Sequence, residues 1–153
     1  MNTVSFRIGD NLSFSESDGH PVSTVVGIDR YSFDAQDGIT RKWNSFTLVP
    51  DNKSDAVGTY ARWYVVDLPD LGFAFCEIID QADFPDNLQI DKKLTGKATI
   101  TSDGNAEMGT GYAYLESFIS SDGCLYAREK FSNDDSVMYF KSTILKGPVA
   151  VCG

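Results

Sequence analysis

Short β-prone runs separated by turn dipeptides recur along the whole chain, and this punctuation constrains the fold more than any other feature. Turn signals stand at Asp18-Gly19, Asp37-Gly38, Pro50-Asp51-Asn52, Pro69-Asp70, Pro85-Asp86-Asn87, Asp103-Gly104, Asp122-Gly123 and Asn133-Asp134-Asp135. Between them lie runs rich in Val, Ile, Thr, Phe and Tyr: TVVGI at 24–28, RWYVVDL at 62–68, FAFCEII at 73–79, KATIT at 97–101 and VMYFKSTIL at 137–145. No window holds a helical period for three turns, and the one helical candidate is a turn or two around Ser54–Ala61. With 153 residues the chain makes one domain. The expectation is all-β: about ten short antiparallel strands in a compact barrel or sandwich.

Strand register can be worked out for the hairpin around Asp37-Gly38. A two-residue loop would pair Gln36 with Ile39, and would then set Ile28 against Thr47 and Tyr31 against Asn44. A three-residue loop, Gln36-Asp37-Gly38 with Gly38 in the left-handed region, sets Tyr31 against Trp43, Ala35 against Ile39, Ile28 against Phe46 and Val26 against Leu48. Four apolar pairs, each contributing roughly 0.2–1 kcal/mol, select the second register. Its apolar positions change parity: Val26, Ile28, Phe46 and Leu48 near the base are even, whereas Tyr31, Phe33, Ile39 and Trp43 near the tip are odd. Such a hairpin must coil strongly or pass from one sheet to another.

The segment 111–131 repeats the device. A loop Ser121-Asp122-Gly123 pairs Ile119 with Leu125, Phe118 with Tyr126 and Glu116 with Arg128, whereas a two-residue loop would oppose Glu116 and Glu129. Both hairpins place Asp-Gly alike and carry an Arg in the returning strand, which suggests two related β-units, residues 1–85 and 86–153, within the single domain.

Charge and composition exclude several function classes. The net charge is −9, which opposes binding to nucleic acid or to an anionic membrane surface. No apolar run approaches the roughly 20 residues of a membrane span, and the start of the chain lacks a basic segment followed by an apolar one. Cys76, Cys124 and Cys152 are odd in number and scattered, matching neither a disulfide framework nor a zinc site. A reduced, cytoplasmic protein is expected.

No constellation of catalytic residues emerges. His20, the one histidine, sits in the turn-like Ser17-Asp18-Gly19-His20-Pro21 and reads as an exposed loop residue. Cys76 reads as a small hydrophobe in a buried strand, Cys124 as the more exposed thiol beside a turn, and Cys152 as part of a mobile end. Most aspartates fall at turns, where they bond local backbone, and no calcium-loop spacing or phosphate-binding glycine loop is present. No catalytic residue, metal or cofactor is therefore assigned, and the chain reads as a non-enzyme.

The aromatic residues remain. Tyr31, Phe33 and Trp43, with Arg41, either pack beneath another part of the sheet or form an exposed patch rimmed by Arg30, Arg41 and Lys42 that would anchor a protein partner.

The run Trp43-Asn44-Ser45-Phe46-Thr47-Leu48 followed by Arg62-Trp63-Tyr64-Val65-Val66 resembles a bacterial domain family of unknown function encoded beside phage-shock-type membrane-stress genes. Gly96-Lys97-Ala98-Thr99-Ile100, Gly104, Leu125 to Glu129 and Tyr139-Phe140 are similar to the same family's C-terminal half. The resemblance spans about residues 22–145 and implies a β-rich accessory domain without assigned chemistry. Together these readings favour a non-enzymatic interaction domain of a bacterial stress or membrane-maintenance system, with a protein partner at Tyr31, Phe33, Arg41 and Trp43. The same patch would also serve a homodimer. The alternative is a small-molecule-binding or hydrolytic β-barrel whose pocket is lined by Trp63, Tyr64, Phe73 and Phe75.

Overall fold

The structure, a computed structural model, describes residues 5–50, 63–68, 71–84, 90–106, 108–120, 124–131 and 136–152. The helical candidate at Ser54–Ala61 and the loop 121–123 lie outside these. Ten strands account for most of the described chain: β1 (Asn11–Ser13), β2 (Ser23–Ala35), β3 (Thr40–Pro50), β4 (Trp63–Leu68), β5 (Gly72–Ile79), β6 (Ile90–Gly104), β7 (Gly111–Ser120), β8 (Cys124–Phe131), β9 (Val137–Ile144) and β10 (Ala150–Cys152). A 3₁₀ turn, Gln81–Asp83, follows β5. Among the described residues no helix is long and apolar enough to cross a membrane.

Eight of the strands close on themselves. The meander β2-β3-β4-β5 meets the meander β6-β7-β8-β9 at two seams, β2 with β6 and β5 with β9, and every pairing is antiparallel. The barrel expected from the turn spacing is thus present, and closure leaves none of the eight with an open edge. Strand order is the same within the two meanders. The two Asp-Gly hairpins do not occupy equivalent places in them, since β2–β3 is the first hairpin of its meander and β7–β8 the second of its own.

Register in the first hairpin follows apolar matching. Tyr31 faces Trp43 and Ile28 faces Phe46. The loop is three residues, with Gly38 at φ 81° and its N–H donating to Ala35 O at 3.1 Å. One expected pair is corrected: Leu48 faces Val25 rather than Val26, because a bulge at Val26 shifts the ladder between Val25 and Gly27. The N–H of Asn105, in the β6–β7 loop, donates to Val26 O at 2.9 Å, so the bulge carries the attachment of that loop. In the second hairpin Ile119 faces Leu125, Phe118 faces Tyr126 and Glu116 faces Arg128, as expected.

The change of parity along β2 and β3 has a simpler cause than a change of sheet. Successive residues of a strand point to opposite faces, and both faces of the first meander are covered. Its outer face at the base carries Val25, Ile28, Phe46, Leu48, Val65 and Phe75, roofed by Phe6, Leu12 and Phe14 of the segment leading through β1. β1 pairs with both β2 and β10, and Asp18 holds the roof down by accepting the N–H groups of Lys146 and Gly147. The inner face, toward the tip, carries Tyr31, Phe33 and Ala35 into the barrel lumen against Leu94, Ala98, Ile100 and Leu115.

The barrel lumen as candidate functional site

Lumen-facing positions follow strand parity. β2 contributes Tyr31 and Phe33, β3 Trp43 and Ser45, β4 Tyr64 and Val66, and β5 Cys76. From the other meander come Leu115 and Ser117 on β7, Leu125, Ala127 and Glu129 on β8, and Phe140 and Ser142 on β9. Small side chains such as Ser117, Ala127 and Ser142 line the lumen among the aromatics and do not fill the interior. A cavity of about 750 Å³ remains, within the range of about 300–1,000 Å³ typical of small-molecule sites.

The cavity opens at one end. Its lining reaches Ile39, beside the β2–β3 turn, and Leu71, beside the β4–β5 turn, both about half exposed. Arg41 and Lys42 stand at this mouth, and the Arg41 guanidinium is committed to Asp37 at 2.8 Å. The hydrogen bonds that the Asp37 carboxylate accepts from Arg41 raise the Arg41 pKa further.

Among the described residues, Met108 plugs the other end. Asp29 is fully buried on β2, where it accepts hydrogen bonds from Ser102 Oγ and from the backbone N–H of Met108 at 3.1 Å. These bonds turn the β6–β7 loop inward, so that Met108 packs between the two lumen clusters. Gly27 makes room for the loop, because a Cβ there would meet Ala106 N at 2.1 Å. Burial raises the Asp29 pKa, and the donors from Ser102, Met108 and Gly109 oppose that rise.

The aromatic wall is ordered by stacking. Tyr31 and Trp43 lie nearly parallel, with ring centroids 4.9 Å apart, and Phe33 meets Trp43 edge-on at 5.8 Å. This cross-strand pair is the one that register matching selects. Tyr31 and Phe33 are buried, Trp43 is half-buried, and all three line the lumen together with Arg41. The four residues singled out in the sequence are therefore gathered in one place, which is the inside of the barrel rather than a patch on its outer face.

Glu129 is the residue that the sequence reading passed over. It stands on β8 between Leu115 of β7 and Met138 of β9, 5 % exposed, and is hydrogen-bonded to Tyr31. Its Oε1 has no hydrogen-bond partner among the described residues. Burial in this apolar wall pushes its carboxyl up to about 7; the Tyr31 bond opposes the rise and the Asp29 charge adds to it. The same burial, with Glu129 nearby, raises the Tyr31 phenol well above its usual range and the Cys76 thiol to about 12. A signal for Glu129 was present in the alternation Leu125, Ala127, Glu129, Phe131, where a carboxylate takes an apolar phase.

Other expectations fare differently. Tyr64 lines the lumen, but Phe73 and Phe75 belong to the outer core, and the Trp63 side chain lies outside the described residues. His20 is not an exposed loop residue: it is half-buried and stacks on Phe75 at 3.6 Å, and desolvation lowers its pKa. Cys152 is not at a mobile end but paired in β10, its thiol 3.3 Å from Asn11 O. Among the described residues no group of His, Cys, Asp or Glu is arranged to hold a metal ion. No protein-family model, curated protein or solved structure matches this chain.

Proposed function

We propose that this protein is a small-molecule-binding β-barrel whose lumen takes one apolar ligand of aromatic size. The observation that carries the reading is the cavity of about 750 Å³, walled by Tyr31, Phe33, Trp43, Tyr64 and Phe140 around the buried carboxyl of Glu129. Eight-stranded barrels are wide enough to hold one small ligand. An apolar wall with one placed polar group is the usual composition of such sites.

Titration with N-phenyl-1-naphthylamine, a neutral dye that brightens in apolar surroundings, tests the reading. One-to-one binding is expected, weakened at least tenfold by Ser117→Trp, which fills the lumen from β7. Absence of binding, or equal binding by the filled variant, would overturn it.

A second reading, a protein-interaction domain of a bacterial stress system, is favoured by the exposed Ile39 and Leu71 at the mouth. It predicts that Ile39→Asp abolishes complex formation while dye binding persists. Unchanged complexes with candidate partners after that substitution would count against it.

A further inference from the structure

The lumen contains a polar feature that a purely apolar ligand would leave unused. Glu129 is enclosed by the apolar side chains of three strands, and its Oε1 lacks a hydrogen-bond partner among the described residues. A buried acceptor without a donor is costly, and an ionised one more so. Rotation about the terminal torsion of a Glu side chain is soft, so either oxygen can be turned toward the cavity that the residue lines.

On the same stretch of lumen stand the stacked faces of Tyr31 and Trp43. Aromatic faces beside a carboxylate form the environment that attracts organic cations, through the ring quadrupole and the opposite charge together. Of the cationic side chains at the mouth, Arg41 is bound to Asp37 and Lys42 is exposed, so neither neutralises Glu129. The net charge of −9 favours the approach of a cation over that of an anion.

We infer that the lumen is specific for a flat aromatic ligand bearing a protonated amine, with the ring against Tyr31 and Trp43 and the ammonium group paired with Glu129. The inference rests on the binding reading above and narrows it to a ligand class. Tyr31 on β2 donates to Glu129, Asp29 on β2 acts on it through its charge, Cys76 on β5 and Tyr64 on β4 line the same lumen, and none of these supplies a positive charge. Pairing with an ammonium requires the ionised carboxylate, so wherever Glu129 still holds its proton a bound amine expels it to solvent.

Calorimetric titration with three probes separates the outcomes: tryptamine, the neutral 3-ethylindole and the anionic indole-3-propionate. At pH 8 tryptamine is expected to bind at least tenfold more tightly than 3-ethylindole, and indole-3-propionate more weakly than either. The tryptamine affinity should rise severalfold from pH 6 to pH 8 while that of 3-ethylindole stays level. Glu129→Gln, checked for folding by near-ultraviolet circular dichroism, should remove both the preference and the pH dependence. If 3-ethylindole binds and tryptamine gains nothing over it at either pH, the cation preference is wrong and the binding barrel stands. If none of the three binds, the inference falls, and the dye titration decides separately whether the binding reading falls with it. The wild-type pH comparison decides the matter even if the variant does not fold.

Discussion

Glu129 sets the pH response of the fold. Its carboxyl is raised from 4.5 to about 7, so the folded chain holds this proton more tightly than the unfolded chain does. The resulting stabilisation is complete below about pH 4.5 and is lost as pH rises through 7, a change on the order of 3 kcal/mol. His20 acts with the opposite sign: its lowered pKa means that stability falls as pH drops through its ordinary 6.5. Urea unfolding of wild type and Glu129→Gln at pH 5 and pH 8 separates the two, because His20 is common to both proteins. Wild type is expected to lose more stability than the variant between these pH values, and parallel behaviour would refute the assignment. At the plugged end, Asp29→Ala leaves the Met108 N–H and Ser102 without their acceptor, and a loss of about 1–3 kcal/mol is expected in the same assay.

Among the elements, two glycines separate local strain from close packing. Gly38 has φ 81° and nothing within 4 Å of an added Cβ, so Gly38→Ala should cost only the conformational penalty, about 1–2 kcal/mol. At Gly27 a Cβ would strike the backbone of Ala106. Gly27→Ala should therefore cost more than Gly38→Ala and loosen the β6–β7 loop, seen as faster amide exchange at Met108. Equal costs would mean that the loop yields without resistance.

Much of this scale could be read in the sequence, because parity and apolar matching are properties of adjacent residues. The pair Tyr31 with Trp43 follows from that rule, and Glu116 with Arg128 follows from it together with the avoidance of facing like charges. The bulge at Val26 did not, since it answers to the loop around Asn105, some eighty residues away. His20 escaped for the same reason: its partner Phe75 is distant in the chain, and a turn-like surrounding sequence says nothing of what the ring rests on.

Across the whole molecule, the hollow itself was the least legible feature. Whether aromatics on an inner face fill a space or line one depends on how many strands close the barrel and on what stands opposite. Tyr31 and Trp43 share the lumen with Ala127 and Ser117, residues of distant strands that no local pattern brings to them. The outcome lay between the two expectations, since these aromatics are covered by the chain yet still border open space. The closed wall also predicts a thermal signature. A ligand at a hundredfold excess over its Kd stabilises the native state by about 2.7 kcal/mol, which corresponds to a rise in Tm of roughly 5–10 °C for a domain of this size. Scanning fluorimetry with tryptamine checks it, and an unchanged Tm at saturating ligand would contradict binding to the native barrel.

The two faces of the first meander lead to a last consequence. Phe46, Leu48, Val65 and Phe75 pack outward beneath Phe6 and Leu12, while Tyr31, Trp43 and Tyr64 face inward, and only the strands themselves separate the groups. Substitutions in the lumen can then alter what is bound while the outer-core side chains keep their own packing partners, since the two faces form separate clusters. A lineage built on this plan could exchange one ligand for another by a few inward-facing changes, with little risk to folding along the way. For an engineer, Ser117, Ala127 and Ser142 are the positions at which to begin.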